Sequence, residues 1–336
     1  RRARELNLEW DRLRISQTET QNIEHGDFDW LIAEFQRDPT WYKAKAAATR
    51  DEIDYCFNII SSLLSSGKVR AIQRTQCRAF YNAVRVGEKK DDNGNPIPSS
   101  AHRANKVYKY FHRLLNYGIE RGLLEYNPAS RLQRETTLGR DQVYTPEEVQ
   151  VVIDTALAGG KASSGNHIPP RPSIALATKI AYDTSLPRQD ILALTYAQFD
   201  GEAFTVKQIK ERGAHQELWL PLTPECIAMV QEARDKGTDK LPSAHIIINE
   251  ETGKRYAEKP FSRIHRRFRL RAGIRDDLTF HDLRRTALTE FGNSGATNAE
   301  IVKFSGHNIN SPVLKDYVLP EREAALRGAN KRWKKQ

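Results

Sequence analysis

Two stretches in the last sixty residues bring imidazole, guanidinium and phenol side chains close together in the sequence. Thr279-Phe280-His281-Asp282-Leu283-Arg284-Arg285-Thr286 carries an imidazole and a guanidinium three positions apart. That spacing places both on one helical face, where they could converge on a single phosphate, the guanidinium gripping it as a bidentate fork. Phe304-Ser305-Gly306-His307 adds a second imidazole. Tyr317, ten residues further within Leu314-Lys315-Asp316-Tyr317-Val318, adds a phenol and is the only tyrosine of that region. Each piece is a weak signal alone: His-x-x-Arg is most often a surface histidine beside a helix-end arginine, Tyr317 a half-buried packing residue, His307 a helix-end cap. Immediately upstream, Phe261–Arg275 (FSRIHRRFRLRAGIR) contains six arginines and no acid.

Other chemistries lack their signatures. There is no Gly-rich loop ending in Gly-Lys-Ser/Thr, no Gly-x-Ser-x-Gly elbow and no His-Glu-x-x-His, so nucleotide hydrolysis, ordinary ester hydrolysis and zinc proteolysis are disfavoured. The clustered carboxylates of a metal-dependent nuclease are also missing. Cys56, Cys77 and Cys226 are odd in number and form no Cys-x-x-Cys pair, which fits a reducing, intracellular setting. The 336 residues carry 53 Lys+Arg against 43 Asp+Glu, a net charge of +10. Such an excess suggests a polyanion partner, since Lys and Arg that neutralise phosphates release counterions. No apolar run approaches a membrane span. The sequence opens at Arg1, and its first residues lack the apolar core of a secretory signal, so it reads as a fragment whose upstream part is missing.

The elements that must position these residues fall into two halves. Residues 1–25 read as a charged helical lead-in. In Ser99–Glu125, Val107, Phe111, Leu114, Leu115 and Ile119 share one face of an amphipathic helix, with Tyr108, Lys109, His112 and Arg113 on an outer face. Ile53, Phe57, Ile60 and Leu64 form a similar stripe, and Lys89–Pro98 is a polar loop. Residues 131–144 are turn-rich and charged, as a linker is. Thr145-Pro146-Glu147-Glu148 then starts a helix with a capping hydroxyl, a proline at the first helical position and a glutamate three after the cap. Ser173–Thr184 is an apolar helical run, Phe204–Lys207 and Leu218–Leu220 read as short strands around a charged turn, and Thr297-x-x-Glu300 caps another helix.

Taken together, His-Asp-Leu-Arg-Arg-Thr, then Gly-His after a helix, then one tyrosine, in that order over residues 280–317, resembles the catalytic signature of the tyrosine recombinases, the phage integrase family. The resemblance implies a mainly α fold with a small β-sheet in the catalytic domain, built as a two-domain DNA clamp. Its parts would be a lead-in at 1–25 from a missing arm-binding domain, a helical core-binding domain at 26–130, a linker at 131–144, a catalytic domain at 145–325 and a basic tail at 326–336. It implies site-specific cutting and rejoining of DNA through a 3′-phosphotyrosine, integrating or excising a phage or mobile element in the bacterial cytoplasm. Tyr317 would be the nucleophile, Arg188 and Arg284 the phosphate clamps, His281 and His307 proton donors or relays, and Lys210 the acid for the leaving 5′-oxygen, with Lys207 as its alternative. Lys109, Arg113, Arg266, Arg267 and Arg285 are candidate DNA contacts. The implied partners are double-stranded core or attachment sites and a homotetramer on DNA, with room for DNA-bending or directionality helpers; no cofactor, metal or membrane is implied.

One position departs from the pattern. The family's first arginine usually follows Thr-Gly-x and stands three before an acid. Here the stretch is Thr184-Ser185-Leu186-Pro187-Arg188-Gln189-Asp190, with Pro187 where the arginine is expected and Arg188 two before Asp190. Either the turn shifts so that Arg188 reaches the phosphate, with Asp190 as its buried partner, or that clamp is weakened. The second possibility sustains a rival reading, a non-catalytic DNA-binding protein that keeps the fold.

Overall fold

The structure, a computed structural model, describes residues 25–86, 99–137, 139, 141–161, 165–207, 217–237, 241 and 244–306. Lys210, His307 and Tyr317 lie outside the described residues, as do residues 1–24 of the lead-in, the 89–98 loop and the basic tail. The chain divides into two compact units, Arg1–Leu138 and Gly139–Gln336.

The first unit is helical in its described residues: α1 Phe28–Arg37, α2 Ala47–Leu64, α3 Arg74–Val86 and α4 Ala101–Glu120. Asp27 caps α1 by accepting from the Trp30 amide at 2.7 Å, satisfying one of the amides that a helix start leaves without a partner. Phe28, Leu31, Ile32 and Phe35 recur at helical spacing and are buried. They meet Ile53, Phe57 and Ile60 of α2 and Val107, Phe111, Leu114 and Leu115 of α4 in one core. The stripe expected on α4 is therefore present in Val107, Phe111, Leu114 and Leu115, with Ile119 only partly buried, but Tyr108 is not on an outer face. It is only 3% exposed, because the buried face of α4 is wide enough to take its ring and the Ala129 carbonyl accepts its hydroxyl at 2.9 Å. Part of the stretch read as linker is anchored to this unit. Glu135 accepts from Arg85 Nε at 2.8 Å, and its carbonyl accepts from Asn105 Nδ2 at 2.9 Å.

The second unit contains α5 Pro146–Ala158, the short pair β1 Gly160–Lys161 and β2 His167–Ile168, α6 Pro172–Thr184, and α7 Arg188–Ile191. It continues with β3 Ala203–Lys207, β4 Glu217–Pro221, α8 Pro224–Lys236, α9 Glu258–Arg271, α10 Phe280–Asn293 and α11 Asn298–Ser305. Both expected capping boxes are made, at Thr145 with Glu148 and at Thr297 with Glu300. α6 is buried around its whole circumference, as expected of a helix packed on several sides. Its polar Thr178 and Thr184 hydroxyls donate back to the carbonyls of Ile174 and Ile180. β3 and β4 pair antiparallel, from Ala203 opposite Pro221 to Lys207 opposite Glu217. Leu218 and Leu220 point into the core and Trp219 outward, the alternation of a sheet with one covered face.

The arginine-rich segment is not simply a solvated surface. α9 is amphipathic, and Phe261, His265 and Phe268 turn inward with Arg269. Arg269 is 2% exposed and donates to the carbonyls of Arg275 and Asp276, fixing the turn after α9. His265 packs edge-on against Phe280, and burial pushes its imidazole down to about 3. Since the unfolded value is near 6.5, the unfolded chain binds a proton between about pH 3 and 6.5 that the folded chain does not. This group's contribution is complete above that window and is lost as pH falls through it, by at most about 1.4 kcal/mol per pH unit. Denaturant unfolding of His265→Leu at neutral and mildly acidic pH is expected to show a smaller acid loss than wild type; an unchanged pH slope would contradict a buried neutral imidazole.

Candidate functional site

The His281–Arg284 segment forms the first turn and a half of α10. Asp282 fixes its start: its carboxylate accepts from the Thr279 amide at 2.7 Å and the Thr279 hydroxyl at 2.8 Å. Thr286 returns its hydroxyl to the Asp282 carbonyl at 2.9 Å and receives the Tyr144 amide at 2.9 Å, which ties α10 to the segment entering α5. On this fixed turn His281 is exposed, whereas Arg284, one turn on, is 7% exposed.

Arg284 joins two other parts of the sequence. Nη1 donates to the Ser185 carbonyl at 2.5 Å and Nη2 to the Ser305 carbonyl at 3.1 Å. Ser185 ends α6 in the left-handed conformation, φ 57°, where glycine is the unstrained choice; it is also where the resembled pattern has its glycine. Ser305 is the last residue of α11, and Gly306 closes that helix, left-handed at φ 73°. One buried guanidinium thus gathers the turn before Arg188, the start of α10 and the end of α11. An arginine suits this, since its planar fork holds fixed directions.

Arg188 begins α7, three residues after Ser185. Its Nη1 donates to Ser262 Oγ at 2.8 Å and its Nη2 to Glu258 Oε2 at 2.5 Å, both on α9. Asp190 is buried. Lys207, the alternative to Lys210, is exposed at the end of β3 and pairs with Glu217 across the hairpin at 3.3 Å.

The candidate DNA contacts divide by environment. Lys109 is exposed on α4, beside an open groove of about 580 Å³ that His102, Lys106 and Arg134 also line. Arg113 is half-buried, lies over the Trp41 ring and donates to the Trp41 carbonyl at 3.2 Å. Arg266 is exposed, and its Nη2 alone donates to both carboxylate oxygens of Asp276 at 2.8 and 2.9 Å. Arg267 is exposed, and Arg285 is buried. Among the described residues no group of His, Cys, Asp or Glu could hold a metal ion, and no helix is long and apolar enough to cross a membrane. Sequence reasoning missed Glu258 and Ser262, which stand on the arginine-rich helix but lie about seventy residues from the arginine they hold.

Comparison with known proteins adds a family-model match and a shared fold. The phage integrase family model matches residues 161–323, a span that includes the positions of His281, Arg284, His307 and Tyr317. No curated protein matches the sequence. Among solved structures, a lambda integrase dimer bound to a COC′ core site is similar over 86% of this chain and 76% of its own, at TM-score 0.66 and 15% identity. The Tn1549 transposon integrase in complex with circular intermediate DNA is similar over 90% of this chain and 99% of its own, at TM-score 0.69 and 13% identity. A lambda integrase tetramer bound to a Holliday junction is similar over 94% and 86%, at TM-score 0.68 and 13% identity. At these identities the likeness is one of fold, mainly α with small antiparallel sheets.

Proposed function

We propose that this chain, whose residues 161–323 match the phage integrase family model, is a site-specific DNA recombinase that cuts and rejoins strands through Tyr317. The Tyr317 phenol oxygen attacks the scissile phosphorus, the bond to the 5′-oxygen breaks, and a 3′-phosphotyrosine and a free 5′-hydroxyl result. The phosphoester is conserved, so an incoming 5′-hydroxyl can reverse the step without ATP. Arg284 and Arg188 hold the non-bridging oxygens as negative charge builds on them. His281 and His307 donate or relay protons, and Lys210 protonates the leaving oxygen.

The observation that carries this reading is the buried Arg284 bridging Ser185 and Ser305. It draws together the three sequence segments in which the resemblance places Arg188, the His281–Arg284 pair and His307, within a fold shared with DNA-bound integrases. The neighbours, a dimer on a core site and a tetramer on a Holliday junction, support extending the reading: phosphate contacts supply most of the affinity, and four protomers exchange strands between two duplexes. The substrate is a core or attachment site of a phage or mobile element, and the site of action is the bacterial cytoplasm.

The test is a nicked suicide duplex, from which the short product strand diffuses away and leaves the enzyme trapped. A covalent protein–DNA adduct supports the recombinase, and tight binding without adduct supports the non-catalytic binder. The acid has its own test. Lys210→Ala is expected to lose cleavage on ordinary DNA and regain it on a 5′-bridging phosphorothiolate, whose sulfur leaves without a proton; absence of rescue would move the role to Lys207 or His281.

A further inference from the structure

Arg188 stands one residue out of the register of the resembled pattern, and α9 supplies two acceptors for its guanidinium. The acid that the pattern places three after the arginine is here Asp190, two after Arg188. Side chains two apart on a helical turn diverge, whereas those three or four apart meet. Glu258 and Ser262 of α9 are four apart and reach the guanidinium together. Ser262 Oγ accepts from Nη1 at 2.8 Å and Glu258 Oε2 from Nη2 at 2.5 Å. Ser262 commits its own proton to the Glu258 carbonyl at 2.9 Å, which leaves its lone pairs for the arginine.

Contacts to both terminal nitrogens fix the plane of a guanidinium as well as its position, which one contact cannot do. Among the described residues they take two of its five donors, and Nε, itself buried, meets no acceptor. The pair is partly exposed, with 37% of the Arg188 side chain and 45% of the Glu258 side chain accessible, and such pairs contribute little to stability. Orientation is what these bonds provide.

We propose that Glu258 and Ser262 are positioning residues for DNA cleavage, holding the Arg188 guanidinium in a fixed plane. This rests on the reading of Arg188 as a phosphate clamp. The experiment measures single-turnover adduct formation and DNA affinity on a nicked duplex selected from a random-sequence pool by binding to the wild-type chain. Glu258→Gln and Ser262→Ala are each expected to slow adduct formation about tenfold at unchanged Kd, since small misplacements of a clamp cost rate rather than binding. In an Arg188→Ala background the same changes are expected to add nothing, because coupled residues are non-additive. Wild-type or faster cleavage in both variants, or full additivity with Arg188→Ala, would overturn the proposal; faster cleavage would make Glu258 a competitor of the phosphate. Failure of the underlying reading looks different: no adduct with the wild-type chain, or Arg188→Ala cleaving at the wild-type rate, removes the clamp and this inference with it.

Discussion

Tyr317→Phe is expected to bind duplex DNA as tightly as the wild-type chain and to leave no protein attached to a nicked substrate. The change removes one oxygen and keeps the ring, so any packing role of the residue is preserved while the nucleophile is lost. Electrostatic contacts to the phosphates supply most of the affinity and involve other side chains, so Kd is expected to hold within a factor of about two. The loss is expected to be complete rather than graded, because the attacking oxygen itself is removed. Residual adduct at the wild-type level would assign the attack elsewhere, whereas a parallel loss of binding would make Tyr317 a structural residue.

Arg284→Ala is expected to have the second largest effect, on two readouts at once. As a clamp on developing charge, a donor of this kind is worth about 10²–10³ in the rate of cleavage. As a buried bridge, its removal leaves the carbonyls of Ser185 and Ser305 without the donors they now have, at about 1–3 kcal/mol for each. Thermal unfolding and single-turnover cleavage separate the two losses. Arg284→Lys keeps the charge and can satisfy one carbonyl, but it cannot span both, since its ammonium is a single point rather than a fork. It is expected to recover much of the stability and little of the rate. A variant that regained both would make charge alone sufficient and would remove the argument for a fork at this position.

The sequence was most legible where the determining contacts are local. The capping boxes at Thr145 and Thr297 and the apolar stripes on α2 and α4 depend on residues a turn apart, and the structure has them. Tyr108, read on the outer face, turns inward because the partner of its hydroxyl, the Ala129 carbonyl, is twenty-one residues away and invisible to helical spacing. The arginine-rich segment was legible as charge and not as structure. Whether Arg269 closes a turn or Arg266 pairs with Asp276 depends on how the chain folds back after α9. The candidate site shows the same division. His281 and Arg284 share a helix and could be paired from spacing, but the carbonyls that Arg284 grips lie ninety-nine residues before it and twenty-one after it. The shift at Arg188 was visible in the sequence, and the partners that answer it, on a helix seventy or more residues later, were not. Tyr317 and His307 stand on order and resemblance, strengthened by a family match that runs through residue 323.

Identifying the amino acid that carries the DNA therefore tests the account most directly. The trapped adduct is digested with nuclease and protease, and the peptide bearing a nucleotide is sequenced by mass spectrometry. The expected result is one modified peptide, with the nucleotide joined through its 3′-phosphate to the oxygen of Tyr317. A nucleotide on any other residue, or one joined through its 5′-phosphate, would contradict the assignment of nucleophile and leaving group on which the mechanism is built.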